Sequence, residues 1–264
     1  MIRFTPLQRR TLLASLALVG LVGAAAAQQG GLVCRNSGGT DDNGTLAALI
    51  DGIEPVFQAF PDLRELIARE ATDICLSASL YDARGYFSPE DNRIVLQIDL
   101  PQPTQVAILI HELRHLQQYT TGSCPTDSLA MSESARATLA LEADASAISL
   151  FIANTLKDAG QPDIWQALSH WPTHRDIAAA FAAELGASAD SRRATTAAFA
   201  QWYASEWRRD NYYRASCSSY LDRQDTTKAL PQYDKIPPGF YKRLCIMPDG
   251  SPYDCLAGDL DPRP

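Results

Sequence analysis

Two histidines and a glutamate within five residues, His111-Glu112-Leu113-Arg114-His115, form the part of this sequence best suited to chemistry. On an α-helix of about 3.6 residues per turn, side chains four apart share a face, so both imidazoles can bind one tetrahedral metal ion. Glu112 lies roughly 100° further round such a helix. There it is badly placed as a third ligand but well placed to take a proton from a water activated at the metal, which is the role of a general base. The chemistry implied is metal-assisted hydrolysis, with zinc as the expected ion. A helix carrying these residues without metal would bury an acid and two imidazoles without partners, which is costly.

The flanking residues predict the element that must present them. Pro101 and Pro103 block helix upstream, Thr104 can act as an N-cap and Gly122 as a stop, giving a helix over 104–121. Leu109, Leu113 and Leu116 fall on the side opposite the histidines, so the helix can bury its back while its front holds metal. A catalytic site needs a third protein ligand and one open position. The acidic candidates, Glu142 and Asp144, lie in an alanine-rich run that predicts a second long helix over 132–156. They are about 200° apart on it, so only one can face the metal. Each borders the apolar face of Leu141, Ala145, Ile148 and Ile152, so helical geometry leaves the choice open. The acid that is not a ligand can hold a ligand histidine by its other ring nitrogen.

Upstream, 85–92 carries turn residues, and 93–100 alternates apolar with polar side chains as a strand with one buried face does. Further alanine-rich helical stretches cover 176–185 and 195–209. The fold class expected is α+β, mostly helical with a small sheet and stabilised by disulfides.

HExxH followed by a glutamate on a later helix, here Glu142 in an E-x-x-A setting, resembles the gluzincin branch of the zinc metallopeptidases. More narrowly, HELRH followed by EADA resembles a bacterial family of metallopeptidase type, over about 81–151. The resemblance implies a zincin-like core with His111, His115 and Glu142 as zinc ligands, Glu112 as base and Asp144 as the alternative ligand or as a support behind one. It also implies that the strand before the active helix is a sheet edge on which an extended peptide can lie. The metzincin pattern is excluded, because the position six residues after His115 is Thr121. The N-E-x-x-S-D sequence of the thermolysin-like enzymes is absent around Glu142.

Residues 1–27 combine Arg3, Arg9 and Arg10, an apolar stretch and a closing Ala25-Ala26-Ala27, the layout of a cleavable signal peptide. Arg9-Arg10 also fits a twin-arginine signal. The expected location is periplasmic or secreted, with no membrane span left after cleavage. Six cysteines, Cys34, Cys75, Cys124, Cys217, Cys245 and Cys255, all lie beyond this segment and suggest disulfides in an exported chain. Cys245 with Cys255 is the best local pair, across the turn residues Pro248-Asp249-Gly250, and Cys124 is a candidate staple for the end of the active helix. No C-x-x-C pair supports a cysteine zinc site. Removing residues 1–27, with three arginines and no acid, takes the net charge from −8 to −11, which disfavours nucleic acid as a partner. Peptide or protein substrates are expected instead.

The organisation expected is a signal peptide over 1–27, a metallopeptidase domain over 28–215, and an irregular cysteine-containing extension over 216–264 packed on that domain. A donor for the oxyanion of peptide hydrolysis is also expected, with His170, His174, Tyr203, Tyr212 and Tyr213 as candidates and none preferred. Pro172 argues against a helical metal pair formed by His170 and His174. The competing reading is a disulfide-stabilised envelope binding protein that keeps such a shell without turnover. An intact Glu112 favours the enzyme, since a binding module has no need of the base.

Overall fold

The structure, a computed structural model, describes residues 32–35, 44–80 and 83–255. The expected signal peptide therefore lies outside the described residues. Strand β1 (Leu32–Cys34) is followed by helices α1 (Thr45–Ala59) and α2 (Pro61–Glu70) and strands β2 (Asp73–Ser77), β3 (Gly85–Ser88) and β4 (Arg93–Gln97). The remainder is helical: α3 (Gln102–Thr120), α4 (Met131–Asp158), α5 (Asp163–His170), α6 (Arg175–Ser188), α7 (Ser191–Ala204), α8 (Glu206–Thr227) and the short α9 (Phe240–Leu244). The class is α+β, mostly helical with a small mixed sheet and two disulfides.

The sheet runs in the order β1-β2-β4-β3, with β2 and β4 parallel and the outer pairs antiparallel. Ile74, Leu76, Ile94 and Leu96 face the main core, whereas Cys75 and Val95 face a small second cluster with Cys34. Cys34 and Cys75 are directly opposed in register and joined as a disulfide, which closes that second face. This arrangement corrects the expectation for 93–100 in two ways. The strand stops at Gln97, and Ile94, Val95 and Leu96 are all fully buried, because the main core covers one face and the Cys34–Cys75 cluster the other. The edge beside the active helix is formed instead by β3, from residues whose turn-like composition hid a strand.

Gly85 explains how close β3 comes to α3. A Cβ there would lie 2.5 Å from Ile108 Cγ2 and 2.8 Å from Leu96 Cδ2, so the position has no room for a side chain.

Helix α3 starts earlier than expected, at Gln102. Pro101 is its N-cap and Pro103 falls in the first turn, where a missing N–H costs no helical hydrogen bond. Thr104 does not cap it. Leu109, Leu113 and Leu116 are buried as the pattern required. Helix α4 is the central element, packed on α3, α5, α7 and α8. Its buried alanines, among them Ala140, Ala143, Ala147 and Ala153, let these neighbours approach closely. α4 is long and apolar enough to cross a membrane, but 83% of the relevant window is buried inside the fold, the environment of a core helix.

The stretch 195–209 is broken between α7 and α8 at Ser205, whose hydroxyl accepts from the Arg208 N–H and so caps α8. Residues 216–227, expected to be irregular, continue α8 as helix. Cys245 and Cys255 form the second disulfide. Cys124 is a free thiol and staples nothing, and burial pushes its pKa up to about 11. Cys217 is the other free thiol among the described residues.

Gly85→Ala should destabilise the fold by about 1–3 kcal/mol, as overpacking against buried neighbours does. Urea denaturation of the two proteins measures it, and equal midpoints would show that β3 can move off α3 without cost.

Candidate active site

Helix α3 and the middle of α4 cross so that His111, His115 and Glu142 meet. One ligand-capable atom from each lies within 4.8 Å of the others. Nε2 of His111 is 3.4 Å from Glu142 Oε2, Nε2 of His115 is 3.5 Å from Glu142 Oε1, and the two Nε2 atoms are 3.0 Å apart. All three side chains retain 18–19% exposure, so the cluster opens to solvent. Of the two acidic candidates, Glu142 is the one that faces the histidines.

Asp144 points the other way and is fully buried. Its Oδ2 accepts from Arg114 Nε at 2.7 Å and Gln118 Nε2 at 2.7 Å, and its Oδ1 from Arg114 Nη2 at 3.0 Å and the Tyr253 hydroxyl at 2.6 Å. Arg114 Nη2 also donates to the carbonyls of Leu244 and Ile246, at 2.7 and 2.9 Å. Gln118 completes the connection to the histidines, since its Oε1 lies 2.7 Å from His115 Nδ1.

Glu112 is buried beside the cluster, with the backbone of Phe87 on β3 near enough to act against the rise in its pKa. Burial raises its pKa, an effect that His115 and His111 partly offset. Glu142 moves in the opposite direction: burial pushes it up, but His115 and a hydrogen bond from His111 more than compensate, and its carboxyl titrates below the usual range. Two carboxylates separated in this way suit a proton acceptor and an anionic ligand respectively. His111 is opposed by burial yet raised on balance by its hydrogen bond to Glu142 and by the charge of Glu112.

Of the five candidate donors, two lie within the electrostatic field of this cluster. The half-buried Tyr212 on α8 lies in the field of Glu142, and that carboxylate and burial hold its hydroxyl protonated. His174 sits within the field of His111 and Glu142, and burial, His111 and Arg208 take its pKa down to about 4, so it is neutral. The others lie elsewhere. His170 is exposed on Gln166 O, Tyr203 packs with Phe199 and Trp202 in the core, and Tyr213 contacts Cys217.

Sequence reasoning did not single out Gln118, Arg114, Tyr253 or the Phe87 backbone. Gln118 left a signal, because it follows His115 by three residues and so shares its helix face. Tyr253 left none, being 109 residues from Asp144.

A family model described as "Putative metallopeptidase family (DUF6782)" matches residues 24–255. The chain belongs to this family. Membership implies a metal cofactor and hydrolytic chemistry, and the match spans both the helix carrying HExxH and the disulfide loop that contacts Arg114. No match is found among curated proteins or among solved structures.

The donor set fits a zinc-like ion. Ligand atoms about 2.0–2.1 Å from a tetrahedral metal are roughly 3.3 Å from one another, close to the 3.4 and 3.5 Å between the histidine nitrogens and Glu142. His115 Nδ1 is occupied by Gln118, which leaves Nε2 to bind.

Arg114→Ala would leave Asp144 charged and buried without its main partner, and should cost about 3–5 kcal/mol of stability. Chemical denaturation of the metal-free protein measures this; a loss below about 1 kcal/mol would mean that water or Gln118 replaces the guanidinium.

Proposed function

We propose that this protein is an exported zinc-dependent metallopeptidase of the zincin type, with His111, His115 and Glu142 as ligands and Glu112 as general base. The observation that carries the reading is the convergence of His111 Nε2, His115 Nε2 and the Glu142 carboxylate from two helices, with Glu112 adjacent but turned to the β3 backbone. His111, His115 and Glu142 would hold a zinc ion, which would supply Lewis acidity toward a scissile carbonyl and a water. Glu112 takes the proton of the attacking water, a task suited to a carboxylate whose pKa burial has raised, and passes it to the leaving amine nitrogen. Tyr212 and the neutral His174, both within the field of the cluster, are the candidates to donate to the carbonyl oxygen as negative charge develops on it.

The edge strand offers the substrate a place. Gln97 N–H donates to Arg84 O, so alternation along the antiparallel pair turns the backbone groups of Gly85 and Phe87 away from β4. An extended peptide adding to this edge would lie next to Glu112. Substrates are therefore read as peptides or unfolded protein segments.

Export is supported by the 1–27 segment of the sequence and by the two disulfides, which fit an oxidising compartment. We read 28–215 and the segment from 216 as one unit, because the carbonyls of Leu244 and Ile246 and the hydroxyl of Tyr253 contact the pair formed by Arg114 and Asp144.

Glu112→Gln keeps the shape and removes the proton acceptor. Zinc content and folding should persist while hydrolysis of peptide or denatured-protein libraries falls by roughly 10²–10⁴-fold, with a chelator control for the wild type. Equal cleavage by both proteins would exclude Glu112 as the base. In parallel, His111→Ala should lose most of the one zinc expected per chain, as read by metal analysis; retention of stoichiometric zinc would overturn the ligand assignment.

A further inference from the structure

The loop closed by Cys245–Cys255 is far from HExxH in sequence, yet its groups meet the active helix. Arg114 Nη2 donates to Leu244 O and Ile246 O, and the Tyr253 hydroxyl donates to Asp144 Oδ1. Asp144 Oδ2 in turn accepts from Gln118 Nε2, which also donates to Leu141 O at 3.0 Å. Both of these Gln118 partners, an ionised carboxylate and a carbonyl, only accept, so the amide nitrogen must face them. The amide oxygen must then face His115 Nδ1, which it does at 2.7 Å. An amide oxygen also only accepts, so His115 must carry its proton on Nδ1 and keep the Nε2 lone pair free.

We propose that the Cys245–Cys255 loop is a working part of the metal centre, positioning His115 through the relay Tyr253, Asp144 and Gln118 and fixing that histidine in its metal-binding tautomer. This rests on the reading of His115 as a ligand. Every link in the relay is buried: Asp144 is 0% exposed, Gln118 2% and Tyr253 6%, so water does not compete for these bonds. Ligand histidines are commonly held by a carboxylate or carbonyl on the second nitrogen. Here an amide stands between histidine and carboxylate, which lets one aspartate neutralise Arg114 and orient His115 together.

The test uses the full mature protein and two mild variants, Gln118→Met, which retains bulk but has no amide, and Tyr253→Phe, which removes one hydroxyl. In the metal-free wild type with neutral histidines, ¹⁵N spectra of the imidazoles should show His115 protonated on Nδ1. Gln118→Met should shift it toward the Nε2-protonated form, and a wild-type His115 already in that form, or an unchanged tautomer in the variant, would overturn the relay. Zinc affinity, measured by competition with a chromogenic chelator, should fall about 10–100-fold in Gln118→Met and by a smaller factor in Tyr253→Phe. Thermal unfolding of the metal-free proteins serves as the folding control. Wild-type affinity in Tyr253→Phe would remove the loop from the metal centre. Failure of the wild type to bind zinc at all would overturn the ligand reading, while the tautomer measurement would still decide the relay.

Discussion

The buried pair of Arg114 and Asp144 is the interaction on which the arrangement of this molecule turns. The carboxylate receives four donor contacts from three side chains, about its full capacity as an acceptor. The guanidinium reaches two carbonyls of the C-terminal loop as well. Neither charge could be removed from water at tolerable cost with fewer partners. Because those partners lie on α3, α4 and the loop around Cys245–Cys255, satisfying the charges brings together three parts of the chain separated by up to 132 residues.

The crossing of α3 and α4 follows from that requirement and from the small side chains of α4. Asp144 and Glu142 point to different sides of the same helix, so holding Asp144 against Arg114 turns Glu142 toward His111 and His115. The sheet contributes from the other side. Gly85 lets β3 lie directly on Ile108, which brings the Phe87 backbone near Glu112. Structural burial and site geometry are thus coupled, and a change in either the ion pair or the edge strand would be felt at the histidines.

The two disulfides fit an oxidising compartment and the same architecture. Cys34–Cys75 closes the small face of the sheet, and Cys245–Cys255 closes the loop whose Ile246 carbonyl receives Arg114. Neither bridge lies in the helical centre, where packing of α4 against its neighbours already fixes the chain.

The sequence by itself placed His111, Glu112 and His115 together on one helix as candidates for a metal site, since HExxH on a helix carries its own geometry. It also determined the two helices near their true ends, the buried leucine face of α3, the α+β class and one of the two disulfides. These are local properties, set by spacing, proline placement and short turns. Helical geometry left Glu142 and Asp144 open and only the family resemblance favoured Glu142; the tertiary structure turns Glu142 toward the histidines, because Arg114 on a neighbouring helix holds Asp144 on the other side. It likewise decided that β3 rather than β4 is the edge, since strand order depends on pairing between segments and not on the alternation within one. The donors around the site divided in the same way: five histidines and tyrosines were equivalent in sequence, and the packing of α8 and the start of α6 selected Tyr212 and His174. Tyr253 and the carbonyls of Leu244 and Ile246 could not be read at all, because a contact made over more than a hundred residues leaves no periodic trace in the chain that makes it.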